Sequence, residues 1–131
     1  MKDHGLTEEQ RLIRDSVRDL ARDKFAPHAA TADKQYQAPI HNLKPLAEMG
    51  YTGLFMPPQY GGAGLGVMEN VLVVEQIARY CANTAILYSC TDGATPRAIL
   101  ALGNASQKQA YLPAIVRGEL LTAWSMSEAN T

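Results

Sequence analysis

Four polar side chains stand on otherwise apolar stretches of this chain: Glu75, Tyr88, Asp92 and Arg97. Carboxylates, a phenol and a guanidinium bind polar ligands when a cleft collects them, and each taken singly is equally served by an ion pair or by solvent. Tyr88 and Asp92 are four residues apart and so share a helix face, which Thr84 and Thr95 extend into a polar stripe. No nucleophile accompanies them, because the chain has neither a Gly-x-Ser-x-Gly turn nor a Cys–His arrangement. His4, His28 and His41 are scattered, without carboxylate or cysteine at ligand spacing, so no metal site is expected. Cys81 and Cys90 on one helix would stand roughly 13 Å apart at ~1.5 Å per residue, beyond the ~7 Å reach of a disulfide. They read as buried thiols. No catalytic constellation is complete within these residues.

The glycines at 61, 62, 64 and 66 could let backbone amides approach a phosphate. No Lys-Ser or Lys-Thr follows them, and Val67 stands where a dinucleotide-binding pattern begun at Gly62 needs glycine. With Pro57 and Pro58 in the same stretch, a shaped structural loop is the favoured reading.

Helices must position all of these groups. Thr7 and Gln10 form a capping box, and Ile13, Val17, Leu20, Ala21 and Phe25 make one apolar stripe behind it. Pro27 ends or bends that helix into a short piece reaching about residue 34. Asn42 is placed to cap a third helix, with Leu43, Leu46, Ala47 and Met49 inward and Gly50 as its left-handed stop. Residues 67–80 are apolar nearly all round and predict a central, buried helix. A fifth helix is expected from about 83 to 102. Pro96 kinks it, and Ile86, Leu87, Ile99 and Leu100 form its core side. Asn104 and Gln107 open a sixth helix that ends near Gly118. From Leu120 the period changes to two, which predicts a strand, and one strand cannot stand alone.

Lysine and arginine number 12 against 13 acids, a net charge of -1 that points to no nucleic-acid partner. The N-terminal residues resemble neither a signal nor a transit peptide, and no apolar run is long enough to span a bilayer. A soluble cytoplasmic protein is expected.

Five segments in order carry a resemblance. They are Leu6-Thr7-Glu8-Glu9-Gln10; Leu46-Ala47-Glu48-Met49-Gly50-Tyr51-Thr52-Gly53-Leu54; Pro57-Pro58-Gln59-Tyr60-Gly61-Gly62-Ala63-Gly64-Leu65; Gln107-Lys108-Gln109-Ala110-Tyr111-Leu112-Pro113 with Gly118-Glu119-Leu120; and Ala123-Trp124-Ser125-Met126-Ser127-Glu128-Ala129-Asn130. Together they resemble the N-terminal domain of the acyl-CoA dehydrogenases. The resemblance implies an all-α bundle of about six helices over residues 1–119, with 120–131 opening a flavin-binding β-domain that the sequence does not complete. It implies FAD as cofactor, an acyl-CoA substrate desaturated between its α and β carbons, and reoxidation by an electron-transferring flavoprotein. It further implies a homodimer or homotetramer and a glutamate base beyond this chain.

By the same resemblance Trp124, Met126 and Ser127 match flavin-contacting positions, while Tyr88 and Asp92 match the helix lining the acyl pocket. Ala129 replaces a common proline, and Asp92 stands where aliphatic residues are usual, which points away from a plain fatty-acyl substrate. Two other readings remain. One is a flavin monooxygenase or oxidase of the same superfamily; the other is a helical subunit without chemistry.

Overall fold

The computed structural model describes residues 5–125 and 127–129. Helix α1 (Glu8–Leu20) starts as its capping box dictates: the Gln10 amide donates to Thr7 Oγ1 at 3.2 Å, and the Thr7 amide donates to Gln10 Oε1 at 3.0 Å. It runs without a break through a π turn (Ala21–Phe25) into α2 (Ala26–Lys34). Pro27, in the first turn of α2, lacks an N–H, and its ring crowds the carbonyl four residues back. The preceding turn is widened instead of broken, with the Ala26 amide reaching back to the Ala21 carbonyl.

Helix α3 (Leu43–Glu48) buries Leu43 and Leu46 as expected, but two expectations about it fail. Asn42 does not cap it: the side chain turns inward and Nδ2 donates to Thr84 Oγ1 at 2.8 Å. Met49 is 44% exposed, because the six-residue helix has ended before it and Gly50 turns the chain at φ 78°. Helices α4 (Val67–Tyr80) and α1 pack along one another, and Gln10 Nε2 donates to Glu69 Oε1 at 2.8 Å where their N-terminal turns meet. Leu72, Val73 and Ile77 are buried; Val67, Met68 and Val71 are about half exposed. Neighbours on two sides (α1 and α5) leave the third side of α4 uncovered, so it is not the fully enclosed helix its composition suggests.

Helix α5 (Ala82–Tyr88), a second π turn (Ser89–Ala94) and α6 (Thr95–Leu102) form one run, again with a proline, Pro96, just past the wide turn. Helix α7 (Ala105–Val116) opens on the expected Asn104–Gln107 box and closes at Gly118, φ 69°. Among the described residues these make five helical runs when each π turn is counted inside its run, close to the six expected. The core joins Val17, Phe25, Leu46, Val73, Ile77 and Tyr88.

Residues 120–125 form no strand. A strand needs a ladder partner for its backbone, and no strand forms among the described residues to supply one. Two side chains hold the segment instead: Thr122 Oγ1 donates to the Cys90 carbonyl at 2.9 Å, and Thr95 Oγ1 donates to the Ala123 carbonyl at 3.1 Å. Among the described residues no helix is long and apolar enough to cross a membrane, and no group of histidine, cysteine or acidic side chains could hold a metal.

Candidate functional site

The run from α5 to α6 has two faces. Asn83, Ile86, Leu87 and Cys90 recur at helical spacing and form one wall of a groove of about 520 Å3. The opposite wall comes from the end of α2 and the chain after it (Asp33, Tyr36, Gln37, Ala38), and the third side from Leu121, Thr122 and Ala123. The volume falls in the range of small-molecule sites, and the lining is mostly apolar with a few polar groups at its edges. Tyr36 sits at φ 52°, the left-handed position that glycine favours after a helix end, and its side chain is 97% exposed.

Tyr88 and Asp92 lie on the other face, fully buried at 0% exposure. Tyr88 Oη donates to the Tyr51 carbonyl at 2.7 Å and lies 3.1 Å from Asp92 Oδ2. Asn70 Nδ2, from α4, is 2.6 Å from Asp92 Oδ2 and 3.3 Å from Tyr88 Oη. Asp92 Oδ1 is buried with no hydrogen-bond partner. Burial pushes the Asp92 carboxyl up to about 7, against the opposing pull of Tyr88, Asn70, the more distant Arg97 and the Leu54 backbone amide. Burial, with the Asp92 charge, also holds the Tyr88 phenol well above its usual range. Both groups belong to the interior, and neither lines the groove. Thr84, one turn before Tyr88, continues the buried polar face by donating to Cys81 Sγ at 3.0 Å while accepting from Asn42.

Arg97 and Glu75 do not join this cluster. The Arg97 guanidinium stacks over the Phe55 ring at 4.2 Å, a cation–π contact, and makes no ion pair with Asp92. Glu75 accepts from Gln76 Nε2 at 3.2 Å. The members of the cluster not anticipated from sequence are Asn70 and the Tyr51 carbonyl. A lone amide within the apolar run 67–74 was the one available signal for Asn70; nothing local marks a backbone carbonyl.

The glycine loop is closed to anions. The amides of Gly61, Gly62, Ala63, Gly64 and Leu65 donate to the carbonyls of Pro58, Pro57, Gly53, Met56 and Leu54, and the Gly66 amide donates to Glu69 Oε2. A Cβ at Gly62 would run into the Met56 carbonyl, which accounts for glycine there. Of the three flavin-contacting candidates, Trp124 is 47% exposed and Ser127 is exposed, both on the segment leading away from the groove. Met126 lies outside the described residues.

Comparison with known proteins gives this arrangement its relatives. The chain is 37% identical to the mitochondrial isovaleryl-CoA dehydrogenase of Bos taurus over 97% of its own length and 30% of that enzyme. Butyryl-CoA dehydrogenase of Megasphaera elsdenii superposes with a TM-score of 0.82 and 29% identity, covering 92% of this chain and 32% of that one. An acyl-CoA dehydrogenase of Bacillus anthracis, complexed with FAD, superposes over 100% of this chain and 22% of that one, with a TM-score of 0.88 and 26% identity. The chain thus spans about a third of the length of the curated relatives it matches. With the model of the acyl-CoA dehydrogenase N-terminal domain matching residues 7–119, almost all of the helical body described above, the chain belongs to that family.

Proposed function

We propose that this chain is the helical part of an enzyme that desaturates an acyl-CoA between its α and β carbons with FAD, and that the groove outside α5 receives the acyl chain. The groove itself carries the reading: an apolar trough bounded by Ile86, Leu87 and Cys90 and closed by the 121–123 segment that leads directly to Trp124 and Ser127. Ile86, Leu87 and Leu121 exclude water from a bound acyl group and orient it along the helix. Burying an alkyl chain there contributes ~0.8 kcal/mol per methylene.

The residues present fit a flavin on one side, since the exposed Trp124 offers an indole edge and the exposed Ser127 a hydroxyl donor. Met126 is proposed as a third contact. FAD, when bound, accepts the hydride that leaves the β-carbon. Tyr88 and Asp92 act in this reading from behind the groove wall, holding α5 in place. The α-proton base is a glutamate supplied from outside these residues. An electron-transferring flavoprotein as oxidant, a homodimer or homotetramer, and a cytoplasmic setting complete the proposal. The two free thiols, Cys81 and Cys90, are in keeping with a reducing compartment.

The test is anaerobic reduction of the full-length flavoprotein by a series of acyl-CoAs. Substrate-dependent bleaching of the flavin is expected, and Leu87→Trp should raise KM roughly tenfold or more for the longer chains while sparing the shortest. A flavin that no acyl-CoA reduces, or an unchanged chain-length ranking in the variant, would overturn the assignment.

A further inference from the structure

The hydrogen-bond geometry behind the groove does not close with an ionised Asp92. Tyr88 has one proton, and three polar atoms face its oxygen: the Tyr51 carbonyl at 2.7 Å, Asp92 Oδ2 at 3.1 Å and Asn70 Nδ2 at 3.3 Å. The carbonyl can only accept. If the phenol donates to it, an ionised Asp92 leaves two bare oxygens facing each other at 3.1 Å. If the phenol turns to Asp92 instead, the carbonyl and the phenol oxygen face each other at 2.7 Å with no proton between them. One further proton, on the carboxyl, fills every gap: Asp92 donates to Tyr88, Tyr88 donates to the Tyr51 carbonyl, and Asn70 donates to the carboxyl.

Asp92 Oδ1 gives an independent reason. It is buried and unpartnered. On a carboxylate it would carry half a negative charge with no well-formed hydrogen bond and only the Leu54 amide near the carboxyl to offset it; on a neutral acid it is an ordinary carbonyl oxygen, far less costly to leave unpaired. The charged or titratable groups that bear on it are Tyr88 on its own run and Arg97 on α6, with Tyr51 acting on Tyr88, while α4 presents the neutral Asn70 and the 51–54 turn the Leu54 amide. Arg97 is committed to the Phe55 ring and brings no ion pair.

The proton matters because of where this turn sits. Asp92 lies in the same π turn as Cys90, whose side chain lines the groove and whose carbonyl accepts from Thr122 on another groove wall. Losing the proton sets a carboxylate against the phenol oxygen and pushes on a turn tied to two sides of the groove.

We propose that Asp92 is held as a neutral acid that positions the groove wall through Tyr88 and the Tyr51 carbonyl, so that acyl binding depends on its protonation. The coupling to binding rests on the acyl-groove reading above; the location of the proton does not. In the full-length holoenzyme, KM for an acyl-CoA substrate should rise several-fold between pH 6 and pH 8.5, with kcat changing less. Asp92→Asn, a neutral isostere whose Nδ2 can donate to Tyr88 and, with the Asn70 amide turned over, to Asn70 Oδ1, should flatten that profile. Asp92→Leu should raise KM throughout.

Infrared spectroscopy of the same proteins reads the proton directly: below neutral pH a protonated-carboxylic-acid carbonyl band should be present in the wild type and absent from Asp92→Asn. No such band overturns the proposal, whatever the activity. A band with an Asp92→Asn KM profile as steep as the wild type overturns the coupling. A band in a protein that oxidises no acyl-CoA removes the functional reading and the coupling with it, while the neutral acid stands.

Discussion

The two faces of the run from 82 to 102 are built against the usual sense of inside and outside. Toward the core it presents Thr84, Tyr88, Thr91 and Asp92, all buried; away from the core it presents Ile86, 66% exposed, and Cys90, with Leu87 half-buried between core and groove. On an ordinary surface helix these would be exchanged. The buried face can be polar because most of its groups are met, Thr84 by Asn42, and Tyr88 and Asp92 Oδ2 by Asn70 and the Tyr51 carbonyl. Thr91 Oγ1 and Asp92 Oδ1 are left over, and such a network fixes one arrangement of its helices. The outer face is apolar without being core, which is the composition of a wall awaiting an occupant. A helix can thus spend its polar residues on rigidity and its apolar ones on binding.

Truncation should separate the faces most sharply. Tyr88→Ala removes a fully buried ring together with its hydrogen bonds and should cost about 3–5 kcal/mol in urea unfolding of the 131-residue chain. Ile86→Ala on the outer face should stay within ~0.5 kcal/mol. Equal losses would erase the distinction.

Acidity sharpens the comparison next. The Asp92 carboxyl is raised from 3.8 to about 7 by burial, so the folded protein binds the proton more tightly than the unfolded chain does. Its contribution is complete below pH 4 and is lost as pH rises through about 7, by at most ~4 kcal/mol. The stability of the wild type relative to Asp92→Asn should therefore fall across that window, as denaturant midpoints at a series of pH values would record. A difference independent of pH would mean the carboxyl is not buried as described.

The smallest effect lies at the groove rim. Tyr36 holds a left-handed backbone that costs an ordinary residue ~1–2 kcal/mol. Tyr36→Gly should relieve it, less ~0.4–1 kcal/mol of added unfolded-state entropy, for a net gain near ~0.5 kcal/mol in thermal or urea unfolding. A loss of stability would show that Tyr36 supports the fold despite its exposure.

Local chemistry was legible in the sequence. The Thr7–Gln10 and Asn104–Gln107 boxes and the turns at Gly50 and Gly118 formed where residue types alone called for them, because their partners lie within a few positions. The facing of α5 was not legible. Four-residue spacing puts Tyr88 and Asp92 on one face, but whether that face looks inward depends on Asn70 and on the Tyr51 carbonyl, 18 and 37 positions before Tyr88. Asn42 misled for the same reason, since its partner Thr84 is 42 positions away. The groove was hidden because Ile86 and Leu87 look like core by composition, and only the path of residues 36–38 and 121–123 shows that they bound a space. Trp124 and Ser127 drew notice through family resemblance, not through any periodicity of their own.

The two π turns have a consequence for chain length. Each is followed by a proline two positions later, Pro27 after Phe25 and Pro96 after Ala94. A turn closed over five residues holds one more than the α turn it replaces, so each is a stored insertion carried in a continuous helix. Deleting one residue between 89 and 94 would let the wide turn tighten to an α turn, and the helix after it would keep nearly its present phase. Arg97 would stay over Phe55, and Thr95 within reach of the Ala123 carbonyl that it holds. A second residue lost there would find no wide turn left to absorb it and would rotate α6 by about 100° about the helix axis. In this stretch the chain carries one residue in reserve, and the phase of α6 survives the loss of one but not of two.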